Sequence, residues 1–266
     1  MISRKFQRTK QSLYAPVFMI GFPRSGTTLL ETILDTQKGI RTLSEFDAIS
    51  YARSGMTGLG YKYPEDLSSM TANEVGYLRD AYFQHNQQFL LQDKDLGLVI
   101  DKLPLNIQHV PFIMVLFPGA KFILSIRHPV DVCLSCFHQD FHLNNAMRYF
   151  TDLRGCFLRY RDVMGLFERY RQELDLNVHT VCYEDLVSDL EHTAGDLFRF
   201  LEYLPREDFT RFYDANKNKV VKTPSNSQVV RPLYDSSCGK WRQYASQVEK
   251  FIPIVRPFVE QYGYSV

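Results

Sequence analysis

Short apolar runs that stop at glycine, proline or a charged residue alternate along this chain with stretches whose apolar residues recur at helical spacing. Pro16 to Ile20 is apolar, ends at Gly21, and after Gly26 gives way to Leu29, Leu30, Ile33 and Leu34, the pattern of strand, tight loop and helix. A second run, Leu98 to Ile100, ends at Asp101, Lys102 and Pro104, and a third, Lys121 to Ile126, ends at Arg127, His128 and Pro129. A fourth, Asn177 to Tyr183, alternates and ends at Glu184 and Asp185. Such runs fit buried strands that deliver charged residues at their carboxyl ends. Helical stretches at Thr71 to Leu91 and Ala146 to Leu174 separate them. The pattern predicts an α/β fold, a single domain over 1–266 with a central parallel sheet flanked by helices. Residues 1–13 form an N-terminal extension. Positions 217–239, rich in Ser, Asn and Pro, predict a lid-like loop, and 241–262 predict a C-terminal helix across the sheet edge.

Composition narrows the function. A 45% hydrophobic and 23% charged chain builds an ordinary core and is not disordered. With 31 Lys+Arg against 30 Asp+Glu the net charge is +1, so no global field recruits nucleic acid or an anionic membrane, and any anion site must be local. No run spans a bilayer, and Met1 to Lys10 is basic and polar without the apolar run of a signal peptide or anchor. The five cysteines are odd in number and scattered, which argues against a disulfide framework and for a reducing, cytoplasmic location. Cys133 and Cys136 fall in a helical stretch and read as a core pair, and the histidines show no metal-ligand spacing, so no metal is expected.

The candidate for a local anion site is the run Gly21-Phe22-Pro23-Arg24-Ser25-Gly26-Thr27-Thr28, whose bland alternative is a Gly/Ser turn that merely joins strand to helix. Between a strand and a helix, successive backbone N–H groups and the helix N-terminus cradle an anion, which makes this a fold of the phosphate-loop nucleotide-binding type. Both glycines and Thr28 match the nucleoside-triphosphatase loop, but Thr27 stands where that loop has its lysine, so triphosphate hydrolysis is disfavoured. Arg24 supplies positive charge in a planar fork suited to phosphate or sulfate oxygens. Arg127, at a strand end, and Ser135, two turns into the next helix, can hold one phosphate between them; the bland alternative for Arg127 is a surface ion pair.

Pro23-Arg24-Ser25-Gly26-Thr27-Thr28 resembles the 5'-phosphosulfate loop of sulfotransferases that use 3'-phosphoadenosine 5'-phosphosulfate (PAPS), and Arg127 with Ser135 resembles their 3'-phosphate motif. The resemblance continues at Tyr183-Glu184-Asp185-Leu186 and from Gln228-Val229-Val230-Arg231-Pro232 to Gly239-Lys240-Trp241, and is strongest toward protein-tyrosine sulfotransferases and bacterial sulfotransferases linked to tetratricopeptide repeats. It implies that Arg24, Ser25, Gly26, Thr27 and Thr28 bind the 5' phosphosulfate. Arg127, Ser135 and Lys240 then bind the 3' phosphate, with Arg231 as a further phosphate contact. Tyr183 contacts adenine or its ribose, and Trp241 stacks nearby or packs in the core.

The same resemblance places the catalytic carboxylate at Glu45, in Leu43-Ser44-Glu45-Phe46, as general base; otherwise Glu45 is a solvated surface acid. Cytosolic small-molecule sulfotransferases carry a histidine near the position of Asp101-Lys102-Leu103-Pro104, and this chain has Lys102, which suits charge stabilisation at the leaving phosphate unless it merely pairs with Asp101. Ser225 matches a serine near the transfer centre, and Arg24 acts there too. The expected reaction is in-line sulfuryl transfer from PAPS to an acceptor hydroxyl of a protein tyrosine, sugar or small molecule, with 3',5'-adenosine bisphosphate as product. Competing readings are a nucleotide kinase and a module that binds PAPS or the bisphosphate without turnover, which would need neither Glu45 nor Lys102. The acceptor is set by loops between Ser50 and Glu74 and between Asp140 and Arg154, and Phe22, Phe46, Tyr51, Tyr61 and Tyr63 are candidate pocket walls, with the core as their ordinary alternative.

Overall fold

The computed structural model describes residues 15–86, 96–139, 147–213 and 237–266. Its centre is a parallel sheet of β1 (Val17–Gly21), β2 (Ile40–Ser44), β3 (Leu98–Lys102), β4 (Lys121–Ile126) and β5 (Asn177–Cys182), in the order β2-β3-β1-β4-β5. The α/β architecture expected from the alternating pattern is therefore present. β1 is buried along its whole length because helices cover both faces. Phe18, Ile20 and Phe22 join one core with Val110, Ile113, Val132 and Phe157. These come from α4 (Val110–Leu116), α5 (Pro129–Phe137) and α6 (Leu153–Glu173). Val17 and Met19 face the other core, with Leu30 and Ile33 of α1 (Thr27–Leu34) and Leu197 and Phe198 of α8 (Leu190–Phe200), which follows the short α7 (Tyr183–Ser188).

The edge strand β2 is the element the apolar pattern misses. Only Ile40 and Leu43 are buried in Ile40-Arg41-Thr42-Leu43-Ser44, so neither a continuous apolar run nor a period of two marks it. Beyond it come α2 (Ala48–Gly58) and α3 (Ala72–His85), which pack against each other. A reciprocal cap starts α3: Thr71 Oγ1 accepts from the Glu74 backbone while the Glu74 carboxylate accepts from Thr71 N at 2.8 Å. The stretch 241–262 is helical in pieces, as a 3-10 segment at Lys240–Tyr244, α9 (Ala245–Val248), a second 3-10 turn and α10 (Ile252–Gln261). Pro253 lacks the N–H that one continuous helix would need there, and it falls in the first turn of α10, where none is required.

Because β1 lies between β3 and β4, the carboxyl ends of these adjacent strands converge at the point where the chain switches direction across the sheet. Gly21, Lys102 and Arg127 lie at those ends. The close pairing of β1 and β4 requires glycine at its last position: a Cβ on Gly21 would lie 2.5 Å from the Ser125 carbonyl oxygen. Gly21→Ala is predicted to destabilise the fold by about 2 kcal/mol, read as a lowered midpoint in urea unfolding with the slope unchanged.

Candidate active site

The loop from β1 to α1 turns its carbonyls toward the protein. Phe22 O accepts from Ser25 N at 3.2 Å and Gly26 O from Leu29 N at 3.0 Å. Between them, Pro23 O accepts from the Cys136 thiol at 3.4 Å, Arg24 O from the Arg127 guanidinium at 3.3 Å, and Ser25 O from the Ser125 hydroxyl at 2.7 Å. With these acceptors engaged, the loop leads into the N-terminus of α1, the positive end of the helix dipole. Gly26, at φ 98°, caps α1 against the ring of Tyr183, which a Cβ there would approach to 2.7 Å. Burial holds the Cys136 thiol far above its ordinary range, so it stays a neutral donor to the loop.

Four of the residues singled out for the nucleotide are brought together around this loop. Arg24 donates from Nε to Ser135 Oγ at 3.0 Å, linking the loop directly to α5. Arg127 is buried, lies over the Tyr183 ring at 4.9 Å, and donates to the carbonyls of Arg24 and Ser237. Its Nε is buried without an acceptor among the described residues. Neighbouring groups fix this corner. Glu184 accepts from His128 N at 3.0 Å and from the Tyr264 hydroxyl at 2.7 Å, and Asp131 accepts from Gly239 N and Trp241 N at 2.7 and 2.8 Å. Trp241 is buried and stacks on His128, whereas Lys240 is exposed at the start of its turn. Ser225 and Arg231 lie outside the described residues, as do 1–13 and most of the 217–239 segment.

A second cluster lies at the carboxyl end of β3. The Lys102 ammonium is fully buried, donates to Glu45 Oε1 at 3.0 Å, and forms an ion pair with Glu31 Oε2, also at 3.0 Å. Period-two alternation puts Lys102 on the face of Ile100 and turns Asp101 to the opposite side. There Asp101 accepts from the Tyr82 hydroxyl at 2.9 Å and from Asn106 Nδ2 at 3.3 Å. The alternative pairing of Lys102 with Asp101 is therefore replaced by pairing with Glu31 and Glu45. Glu45 N continues the ladder by donating to Lys102 O at 2.8 Å, and the residue then turns to φ 52°. Arg24, at φ 71°, shares this left-handed geometry, which costs on the order of 1 kcal/mol or more per non-glycine residue and concentrates at functional sites.

Glu31 was not singled out from the sequence, although a signal was there: an acidic residue inside Leu29-Leu30-Glu31-Thr32-Ile33-Leu34 and one helical turn after Thr27. Among the proposed wall aromatics, Phe22 is buried against Phe150 and Tyr160, while Phe46 and Tyr51 both pack on the His85 ring and Tyr51 is half exposed. The Tyr61 hydroxyl donates to Glu74, and that of Tyr63 hydrogen-bonds His109 Nδ1 at 2.9 Å. Burial, with Arg53 nearby, lowers His109 to about 4, so this imidazole is neutral at pH 7. Among the described residues no group of three or more His, Cys, Asp or Glu could hold a metal ion, and no helix is long and apolar enough to cross a membrane.

Fold and loop together define an α/β protein of phosphate-loop architecture. The chain matches the sulfotransferase family over residues 16–208 and belongs to that family. It is 24% identical to protein-tyrosine sulfotransferase 1 of Danio rerio over 97% of this chain and 77% of that protein. With the Drosophila melanogaster protein-tyrosine sulfotransferase it shares 22% identity over 93% of this chain and 51% of that protein. It also matches an uncharacterized protein of Aquifex aeolicus at 28% identity over 91% of this chain, spanning 32% of that relative's length. The sulfotransferase domain of the Synechococcus PCC 7002 olefin synthase shares the fold with a TM-score of 0.66 at 21% identity, covering 98% of each chain. Mouse sulfotransferase SULT7A1, solved in complex with PAP, shares it at 0.51 and 16% identity, over 94% of this chain and 86% of that one.

The buried Asp101 makes a pH-dependent contribution that can be isolated. Burial raises its carboxyl to about 7 against the lowering effect of its hydrogen bonds from Tyr82 and Asn106. The folded state therefore binds this proton more tightly than the unfolded chain, whose Asp titrates near ~4, so folding stability falls as pH rises from about 4 to 7 and then levels off. Asp101→Asn is predicted to flatten that decline, measured by urea unfolding of both proteins at pH 4.5, 6 and 7.5. Parallel pH profiles for the two proteins would contradict it.

Proposed function

We propose that this sulfotransferase takes its sulfuryl group from PAPS and transfers it to an acceptor hydroxyl with Glu45 as general base. The observation that carries the reading is the placement of an anion cradle and an ion-paired lysine–carboxylate centre at the carboxyl ends of neighbouring strands. The cradle fits the donor. The buried Arg127 Nε has a hydrogen to give, the Tyr183 ring lies beneath that guanidinium, and glycine at position 26 lets the loop close against the same ring. In this reading Arg24, Ser25, Gly26, Thr27 and Thr28 hold the 5' phosphosulfate. Arg127, Ser135 and Lys240 hold the 3' phosphate with help from Arg231, and Tyr183 meets the adenosine, with Trp241 supporting this corner from behind.

The chemistry divides among a few side chains. Glu45, whose side chain is 45% exposed, is open to an incoming acceptor and takes the hydroxyl proton as the acceptor oxygen bonds to sulfur. Lys102 and Arg24 neutralise charge on the oxygen left behind as the old sulfur–oxygen bond breaks, and Ser225 contacts the same centre. Two relatives are protein-tyrosine sulfotransferases, which puts a peptide tyrosine first among acceptors, ahead of sugar hydroxyls and small phenols.

The test is acceptor-dependent release of 3',5'-adenosine bisphosphate from PAPS across those acceptor classes, with mass spectrometry of the product. Wild type should sulfate at least one class, and Glu45→Gln should lower kcat by about 10²–10⁴-fold. Full activity in Glu45→Gln would remove Glu45 as base, and no transfer to any class would leave the non-catalytic binding module as the better account.

A further inference from the structure

The buried ammonium of Lys102 has two carboxylate partners at equal distance, and the reaction just described uses only one of them. Glu31 is inside the fold, with its side chain 11% exposed, whereas Glu45 reaches solvent at 45%. Glu31 sits on α1, the helix whose N-terminus forms the anion cradle, so one element carries both the cradle and the inner partner of Lys102.

We infer that Glu31 is a positioning residue for sulfuryl transfer, the permanent counter-charge that keeps Lys102 charged and centred while Glu45 gains a proton. This rests on the role proposed for Glu45. At rest the ammonium and two carboxylates carry one excess negative charge. When Glu45 takes the acceptor's proton, Lys102 and Glu31 remain as a neutral pair. Without Glu31 the same step leaves the buried ammonium with neither of its two carboxylates ionised beside it, which is costly in a protein interior. Sharing also loosens the hold of Lys102 on Glu45. A carboxylate that owned the ammonium alone would be a poorer base, because protonating it would break the whole pair.

The groups acting on Glu31 fit this role. Burial raises its carboxyl above the ordinary range, Lys102 from β3 and Ser44 from β2 oppose that, and Asp35, one turn along α1, adds to it. The net upward direction means that burial outweighs the opposing Lys102 and Ser44.

Two experiments decide the matter. In Glu31→Gln, kcat should fall about 10-fold or more with the KM for PAPS unchanged, the acid limb of the kcat/KM profile should move to lower pH, and Glu31→Asp should recover part of the loss. A wild-type kcat, or a loss matched by loss of folded protein with the acid limb in place, would overturn the inference. The second experiment needs no acceptor. Carboxyl-labelled NMR follows the titration of Glu31 in wild type and in Glu45→Gln, where Lys102 becomes wholly available to Glu31. Glu31 should then titrate at lower pH, and an unmoved titration overturns the sharing whether or not the wild type shows transfer. If wild type transfers and Glu45→Gln retains full activity, the fault lies with the proposed base, and the NMR result judges the shared ammonium separately.

Discussion

A loop that offers its N–H groups to an anion must hide its carbonyls, and the rest of this structure is arranged around that constraint. Pro23, Arg24 and Ser25 would each leave a buried acceptor if their carbonyls found no donor, a cost of about 1–3 kcal/mol apiece. Cys136, Arg127 and Ser125 supply those donors from β4 and from the segment and helix that follow it. The neighbouring strand–helix unit therefore serves as the backing of the loop. It also explains why Arg24 tolerates φ 71°, since contacts at its carbonyl and its guanidinium both hold it there.

The same economy of elements governs the electrostatics. A chain of net charge +1 has no global field to offer an anion, so positive charge is concentrated at strand ends by the parallel topology. Among the described residues Arg127 is buried against an aromatic face and backbone carbonyls. Lys102 is handled in the opposite way, enclosed by carboxylates on α1 and after β2. One cation is thus packed against a ring and carbonyls, and the other is balanced by carboxylates.

Much of this was legible in the sequence, for reasons that differ by element. β1 and β4 are covered on both faces and announce themselves as largely apolar runs, while β2 lies at the edge and buries only Ile40 and Leu43. The phosphate loop was readable because glycine and proline positions encode local geometry. The link from Arg24 to Ser135 was not, because it joins residues 111 apart and depends on how α5 docks. Alternation within β3 sufficed to place Asp101 and Lys102 on opposite sides, so the idea that they pair could have been rejected from the strand period alone. Glu31 was missed because one acid in an apolar helix looks like a break in amphipathicity until the buried lysine facing it is known.

In the proposed reading the cradle and Arg127 recognise the two ends of a 3',5'-bisphosphorylated adenosine. Calorimetric titration of 3',5'-adenosine bisphosphate into the wild-type protein and into Arg127→Ala, with AMP and ATP as controls, tests it most directly. The bisphosphate should bind wild type tightly and Arg127→Ala at least 10-fold more weakly, with no comparable affinity for AMP. Equal affinity for the bisphosphate, AMP and ATP, or a variant that binds the bisphosphate as tightly as wild type, would contradict it.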